Sequence, residues 1–259
     1  RQMCIRDRAE YTAAHLAELP RNVLFLFQPS EETTGGAKKL CEAGVLERYR
    51  VRRIFGVHLW PGLPVGEVYS RPGPMMARSS EVTVTVEGKS VHLSRAAEGR
   101  DALTAGIEFL QRAYDMMDSL PSGEPRVLRF GKMVSGSVRN AVSGHTVLEG
   151  SLRTYREDIF RFCRQQLQDI GKSLAAETGC AVSVNLSEGY PAVWNHEELY
   201  AKLCAQLGAD APHLLEAPAL AAEDFSFYQQ FTPGVFFFLG VGKTAELHAP
   251  DFSFDDEAV

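Results

Sequence analysis

Two adjacent carboxylates, Glu31 and Glu32, stand between an apolar run and a glycine pair in FQPSEETTGGAKKL. Neighbouring side chains at a turn point in different directions yet share one cavity. One carboxylate could therefore ligate a metal while the other takes a proton from a water made acidic by the cation. The plain alternative places both in the first turn of a helix, where each complements the dipole by about 0.3–1 kcal/mol. His58 closes a second strand-like run and His248 follows the apolar run VFFFLG. Both could reach the strand-end crevice where ligands collect in open α/β sheets, and oxygen and imidazole donors together suit zinc or manganese. Read alone, each is equally a hydrogen-bonded loop histidine.

Three further residues lie in the middle of the chain. His92 follows an alternating strand in EGKSVHLS and reads by itself as an exposed turn histidine. Asn140 and Arg153 flank the hairpin AVSGHTVLEGSL. A guanidinium fork and an amide donor can receive a carboxylate, or simply face solvent. His15, His145, His196 and His213 form no constellation.

The elements that must carry these residues follow from periodicity. A helical pattern covers Ala9 to Leu19, after a charged and aperiodic start, RQMCIRDR. The continuous apolar run from Asn22 predicts a strand buried on both faces, followed by a short helix that opens after the carboxylates and stops at Gly44. Arg52 to Leu59 predicts the next strand, and strand, helix, strand in this order implies a parallel crossover. The prolines and glycine of RPGPMMARSS mark a hinge. Between Ser79 and Leu186 the order is β-α-β-β-α-β: EVTVTVEG, a helix through Ala102 to Met117, strands near Arg126–Val134 and Thr146–Tyr155, a helix from Glu157 to Glu177, and AVSVNL. This is the split βαβ, ferredoxin-like pattern, with a two-layer core of its own. A helix over Glu197–Leu207 and the strand VFFFLGVG complete the chain.

Composition excludes several classes of function. The 259 residues carry a net charge of −6 and no block of five or more like charges, which argues against nucleic acid or an anionic membrane as the main partner. No apolar stretch approaches the roughly 20 residues that a membrane span requires, and no secretory core opens the chain. Five widely spaced cysteines with no C-x-x-C signal neither a disulfide framework nor a thiolate zinc site, so a reducing cytoplasm is expected.

Six ordered motifs carry a resemblance that extends from about Ala9 to Val259: FQPSEETTGGAKKL, FGVHLWPGLPVGEV, RPGPMMARSSEVTVTVEGKSVH, VRNAVSGHTVLEGSLRTY, AEDFSFY and LHAPDFSFDDEAV. Together they resemble metallopeptidase family 20, in its aminoacylase, hippurate-hydrolase and auxin-conjugate-amidohydrolase branch. The resemblance implies an α/β chain: a mixed-sheet αβα catalytic domain, residues 1–77 and 189–259, interrupted by a ferredoxin-like lid or dimerisation domain over residues 78–188. It implies Glu31 as general base, Glu32, His58 and His248 as ligands of a two-metal site holding zinc or manganese, and His92 as a lid histidine that steadies the oxyanion in a partner subunit. Asn140 and Arg153 would bind the substrate carboxylate.

The implied reaction is hydrolysis of the amide bond of a small N-acyl amino acid by a homodimer. The implied alternatives are a dipeptidase, carboxypeptidase or N-acetyl-diaminopimelate deacetylase, or a non-catalytic dimerising or binding module. Two departures bear on this. Nothing before Glu31 matches the family's Cys-Gly-His-Asp motif, and the final family helix is not represented, so a catalytic domain incomplete at both ends is expected. VHLSRA also replaces the usual small residues and proline after the lid histidine.

Overall fold

A computed structural model describes residues 2–31, 35–121, 123, 125–243, 245, 249 and 252–254. Its elements run α1 (Gln2–Ala14), α2 (Gly36–Glu42), α3 (Val45–Arg48), β1 (Ile54–Trp60), β2 (Val68–Ser70), β3 (Gly73–Met76), β4 (Arg78–Glu87), α4 (Ala102–Ser119), β5 (Val127–Ser135), β6 (His145–Thr154), α5 (Glu157–Thr178), β7 (Ala181–Leu186), β8 (Val193–Asn195), α6 (Glu197–Leu207), β9 (His213–Leu214), α7 (Ser226–Gln229) and β10 (Gly234–Gly240). The chain divides into two compact units, one formed by residues 1–76 with 192–259 and the other by Ala77–Pro191.

The second unit is an antiparallel sheet in the order β5-β6-β4-β7 with α4 and α5 on one face. Strict alternation along β4 sends Val82, Val84 and Val86 inward, against Phe109 and Ala113 of α4 and Phe160, Leu167 and Leu174 of α5. Thr83, Thr85 and Glu87 fall on the opposite, more exposed face. Asp101 starts α4 by accepting the Leu103 and Thr104 N–H groups, and Gly179, at a φ of 68°, ends α5. Arg78, the first residue of β4, is buried over the Phe160 ring at 3.7 Å, donates to Glu157 Oε2 at 2.7 Å and to the Glu188 carbonyl at 2.7 Å.

The first unit is built on a mixed four-stranded sheet in the order β1-β10-β2-β9, with β1 parallel to β10 and β10 antiparallel to β2. A separate ribbon pairs β3 with β8. Thus the Pro/Gly-rich stretch expected to be a hinge contributes a strand, and Gly73 meets Asn195 there. The buried Asn195 fastens the layer: its Oδ1 accepts the Phe236 N–H at 2.7 Å and its Nδ2 donates to the Arg71 carbonyl at 2.8 Å. Phe236, Phe238, Phe225, Met75 and Val193 share the core.

Three expectations are corrected. Helix α1 begins at Gln2 and includes the charged start, because Gln, Met and Arg are good helix formers and Arg6 pairs with Glu10 one turn on. Residues 22–30 form no ladder, and Val23 and Phe27 are 51% and 62% exposed. An apolar run supplies a side-chain face, but a strand also needs a partner edge. The parallel crossover to β1 is consequently not formed, and β1 takes its parallel partner from the far end of the chain, β10.

Candidate metal centre

The segment leading to α2 is shaped by its glycines. Ser30 has a φ of 63°, a left-handed conformation uncommon for a residue with a side chain, immediately before Glu31. Gly35 has a φ of 69° and returns its N–H to the Ser30 carbonyl at 3.0 Å. Gly36 then passes so close to the preceding chain that a Cβ would stand 2.0 Å from the Pro29 carbonyl oxygen. The glycine pair thus draws the start of α2 back against the residues that hold Glu31.

Among the described residues, this brings Glu31 together with Glu223 and Asp224, from the loop before α7, with one oxygen from each within 4.8 Å of the others. Glu31 is half-buried, while Glu223 and Asp224 are 4% and 1% exposed. Three ionised carboxylates this close repel one another, and a bound cation would relieve that repulsion. Donors face Asp224: Gln28 Nε2 lies 2.9 and 2.7 Å from its two oxygens, and the Ala37 N–H lies 3.1 Å from Oδ2. An all-oxygen set of this kind fits a hard or borderline divalent ion such as manganese.

His58 lies in β1, opposite Phe238 of β10, and its ring meets Trp60 edge-on at 6.0 Å. It is outside the carboxylate group. Its Nδ1 lies 2.5 Å from the Leu59 carbonyl, which can only accept, so Nδ1 carries a proton. A metal-ligating histidine is often anchored in this way, through its other ring nitrogen. Glu32 and His248, the other two expected ligands, lie outside the described residues.

The second unit places His92 beside Asn140. The Leu93 N–H donates to the Asn140 carbonyl at 3.0 Å, and His92 bridges Ala141. Both side chains are exposed. His92 Nδ1 lies 2.9 Å from the Ser94 Oγ and 3.3 Å from the Ser94 backbone nitrogen, which leaves Nε2 as the nitrogen away from that turn. Arg153 is half-buried on β6, paired with Ser79 and Val127. Asn140 and Arg153 are thus at a connecting loop and a central strand, with His92 adjoining only the former.

Glu223 and Asp224 received no role from the sequence. Their only signal was the motif AEDFSFY, two acids ahead of an aromatic run.

A mixed α/β sheet with a carboxylate cluster on its loops, and a separate ferredoxin-like unit, define a two-unit α/β scaffold. Residues 8–259 match the model of peptidase family M20/M25/M40, and the chain belongs to that family. It is 32% identical over 245 residues to an N-acetyldiaminopimelate deacetylase of Lacticaseibacillus paracasei, covering 92% of this chain and 64% of the relative. A protein of the same description from Streptococcus uberis is 31% identical over 242 residues, with 92% and 64% covered. Among solved structures, the YXEP protein of Bacillus subtilis, described as a dinuclear metal-binding peptidase from the M20 family, superposes with a TM-score of 0.77 at 28% identity, over 96% of this chain and 64% of that one. A structure from methicillin-resistant Staphylococcus aureus gives a TM-score of 0.82 at 27% identity, over 89% and 60%. The chain therefore spans less than two thirds of the length of these relatives.

Proposed function

We propose that the protein of this chain is a divalent-metal-dependent amidohydrolase that removes the acyl group from a small N-acyl amino acid. The observation that carries this reading is the buried group of Glu31, Glu223 and Asp224 in a chain of this peptidase family. The deacetylase relatives favour an N-acetylated amino acid, N-acetyldiaminopimelate among them, as the substrate. Bound cations would lower the pKa of water and polarise the amide carbonyl. Glu223 and Asp224, with His58, are the described residues that would hold them, joined in this reading by Glu32 and His248.

Glu31 acts as the base in this proposal. It takes the proton from the attacking water and returns it to the departing nitrogen, leaving a carboxylic acid and a free amine. His92 steadies, in the site of a partner subunit, the oxyanion that develops on the carbonyl. Asn140 and Arg153 orient the substrate carboxylate. The ferredoxin-like unit serves as a lid and as the contact between two copies, with the domain boundaries near residues 78 and 188.

The test is twofold. The chain is equilibrated with manganese or zinc, freed of loose ions and analysed for metal, then assayed on N-acetyldiaminopimelate, N-acetyl and N-benzoyl amino acids and dipeptides. Two metals per chain with amine release from the N-acetyl compounds would support this reading, with Glu31→Gln lowering turnover by about 10²–10⁴-fold. Metal uptake without hydrolysis would favour a binding module, and full turnover by Glu31→Gln would remove Glu31 as the base.

A further inference from the structure

A carboxylate can only accept hydrogen bonds, and this sets the direction of a buried relay in the first unit. Asp224 requires Gln28 to present Nε2, at 2.9 Å from Oδ1 and 2.7 Å from Oδ2. The other end of that amide, Oε1, then faces the Tyr228 hydroxyl at 2.7 Å, and the hydroxyl must donate. Reversing the amide would set an oxygen against the carboxylate. Tyr228 is 4% exposed, and burial together with the Asp224 charge pushes its phenol pKa upward, so the donor persists across ordinary pH. The Ala37 N–H supplies the third donor, from the start of α2.

The relay also leaves the two oxygens of Asp224 unequal. Among the described residues, Oδ2 accepts from both Ala37 and Gln28, whereas Oδ1 accepts from Gln28 alone and keeps one acceptor direction. We propose that Gln28 and Tyr228 are positioning residues of the carboxylate centre: they lock the Asp224 carboxylate in one orientation beside Glu31 and Glu223, so that a single oxygen and a fixed negative charge face a divalent cation. This rests on the metal-dependent reading of the site. It extends that reading to a tyrosine hydroxyl that acts only through another side chain.

The experiment compares the wild-type chain with Tyr228→Phe and with Leu46→Ala. Leu46 is buried in the same apolar cluster and lies outside the relay, so its truncation lowers stability without removing a donor. Two quantities are read: the Gln28 side-chain amide signals in a ¹H–¹⁵N spectrum, assigned by their loss in Gln28→Glu, and Mn²⁺ affinity by titration calorimetry. Protected Gln28 amide protons are expected in the wild type. Tyr228→Phe should free them to exchange and weaken Mn²⁺ binding by about tenfold. Leu46→Ala should leave both unchanged. Unaltered amide signals or affinity in Tyr228→Phe would overturn the proposal, as would an equal loss of affinity in Leu46→Ala. If the wild type takes up no Mn²⁺, the metal reading itself falls, and the amide signals alone decide whether Tyr228 holds Gln28 against Asp224.

Discussion

The Gln28 amide donates to both carboxylate oxygens of Asp224, 196 positions further along the chain, at 2.9 and 2.7 Å. The contact joins the segment that carries Glu31 to the loop that carries Glu223, and it makes Asp224 a charge with assigned partners.

Removing that charge should be costly. Asp224→Ala orphans the Gln28 amide and the Ala37 N–H inside the first unit, and hydrogen bonds to a charged group are worth about 1.5–3 kcal/mol. A loss of at least that size is expected, read as a lower midpoint in urea at constant slope. Asp224→Asn should lose less, because its remaining oxygen can still accept from one donor.

Gly36→Ala should be among the most disruptive single-methyl changes in the chain. The added Cβ meets a backbone oxygen at 2.0 Å, which cannot move aside as a flexible side chain would. A loss of about 1–3 kcal/mol is expected from the overpacking. The displaced α2 start should also weaken metal uptake, measured by calorimetry on the same preparation.

At Ser30 the left-handed backbone, φ 63°, costs a residue with a Cβ about 1–2 kcal/mol. Ser30→Gly relieves it but adds about 0.5–1 kcal/mol of unfolded-state entropy. The net change in urea stability should be neutral to mildly stabilising. Ser30→Val should be clearly destabilising, since a β-branched side chain tolerates that conformation worst.

Acid should loosen the clasp between α4 and α5. Arg112 forks onto Glu177, with Nη1 to Oε1 at 2.8 Å and Nη2 to Oε2 at 2.6 Å, and Ser173 adds a donor. Hydrogen bonding to Arg112, then to Ser173, lowers the Glu177 pKa from 4.5 to about 2. A depressed carboxylate pKa gives stability that is complete above the unfolded value and disappears as pH falls through the folded one. The contribution should therefore fade between pH 4.5 and 2. Glu177→Gln should flatten the melting temperature against pH in that window, and a profile matching wild type would show that the pair contributes nothing.

Much of the molecule was legible from residue order alone. Strict alternation predicts β4 and β7, and a 3.6-residue period predicts α4, α5 and α6, because each pattern is set by neighbours within a turn or a pleat. Glu31 and His58 were singled out by type and by place, one beside a glycine pair and one at a strand end. Partnership was not legible. The run from Asn22 has the composition of a strand but no ladder, while β1 pairs with β10, some 180 residues away.

The amino-acid sequence by itself determined the local elements, the order of family motifs and the acids and histidines that could do chemistry. Tertiary structure alone decided that Glu223 and Asp224 join Glu31 and that Gln28 stands between Asp224 and Tyr228. Periodicity reports which way a side chain points from its own backbone. The charge and protonation of a buried group depend on whichever atoms the fold brings within 3 Å, and those come from any distance along the chain.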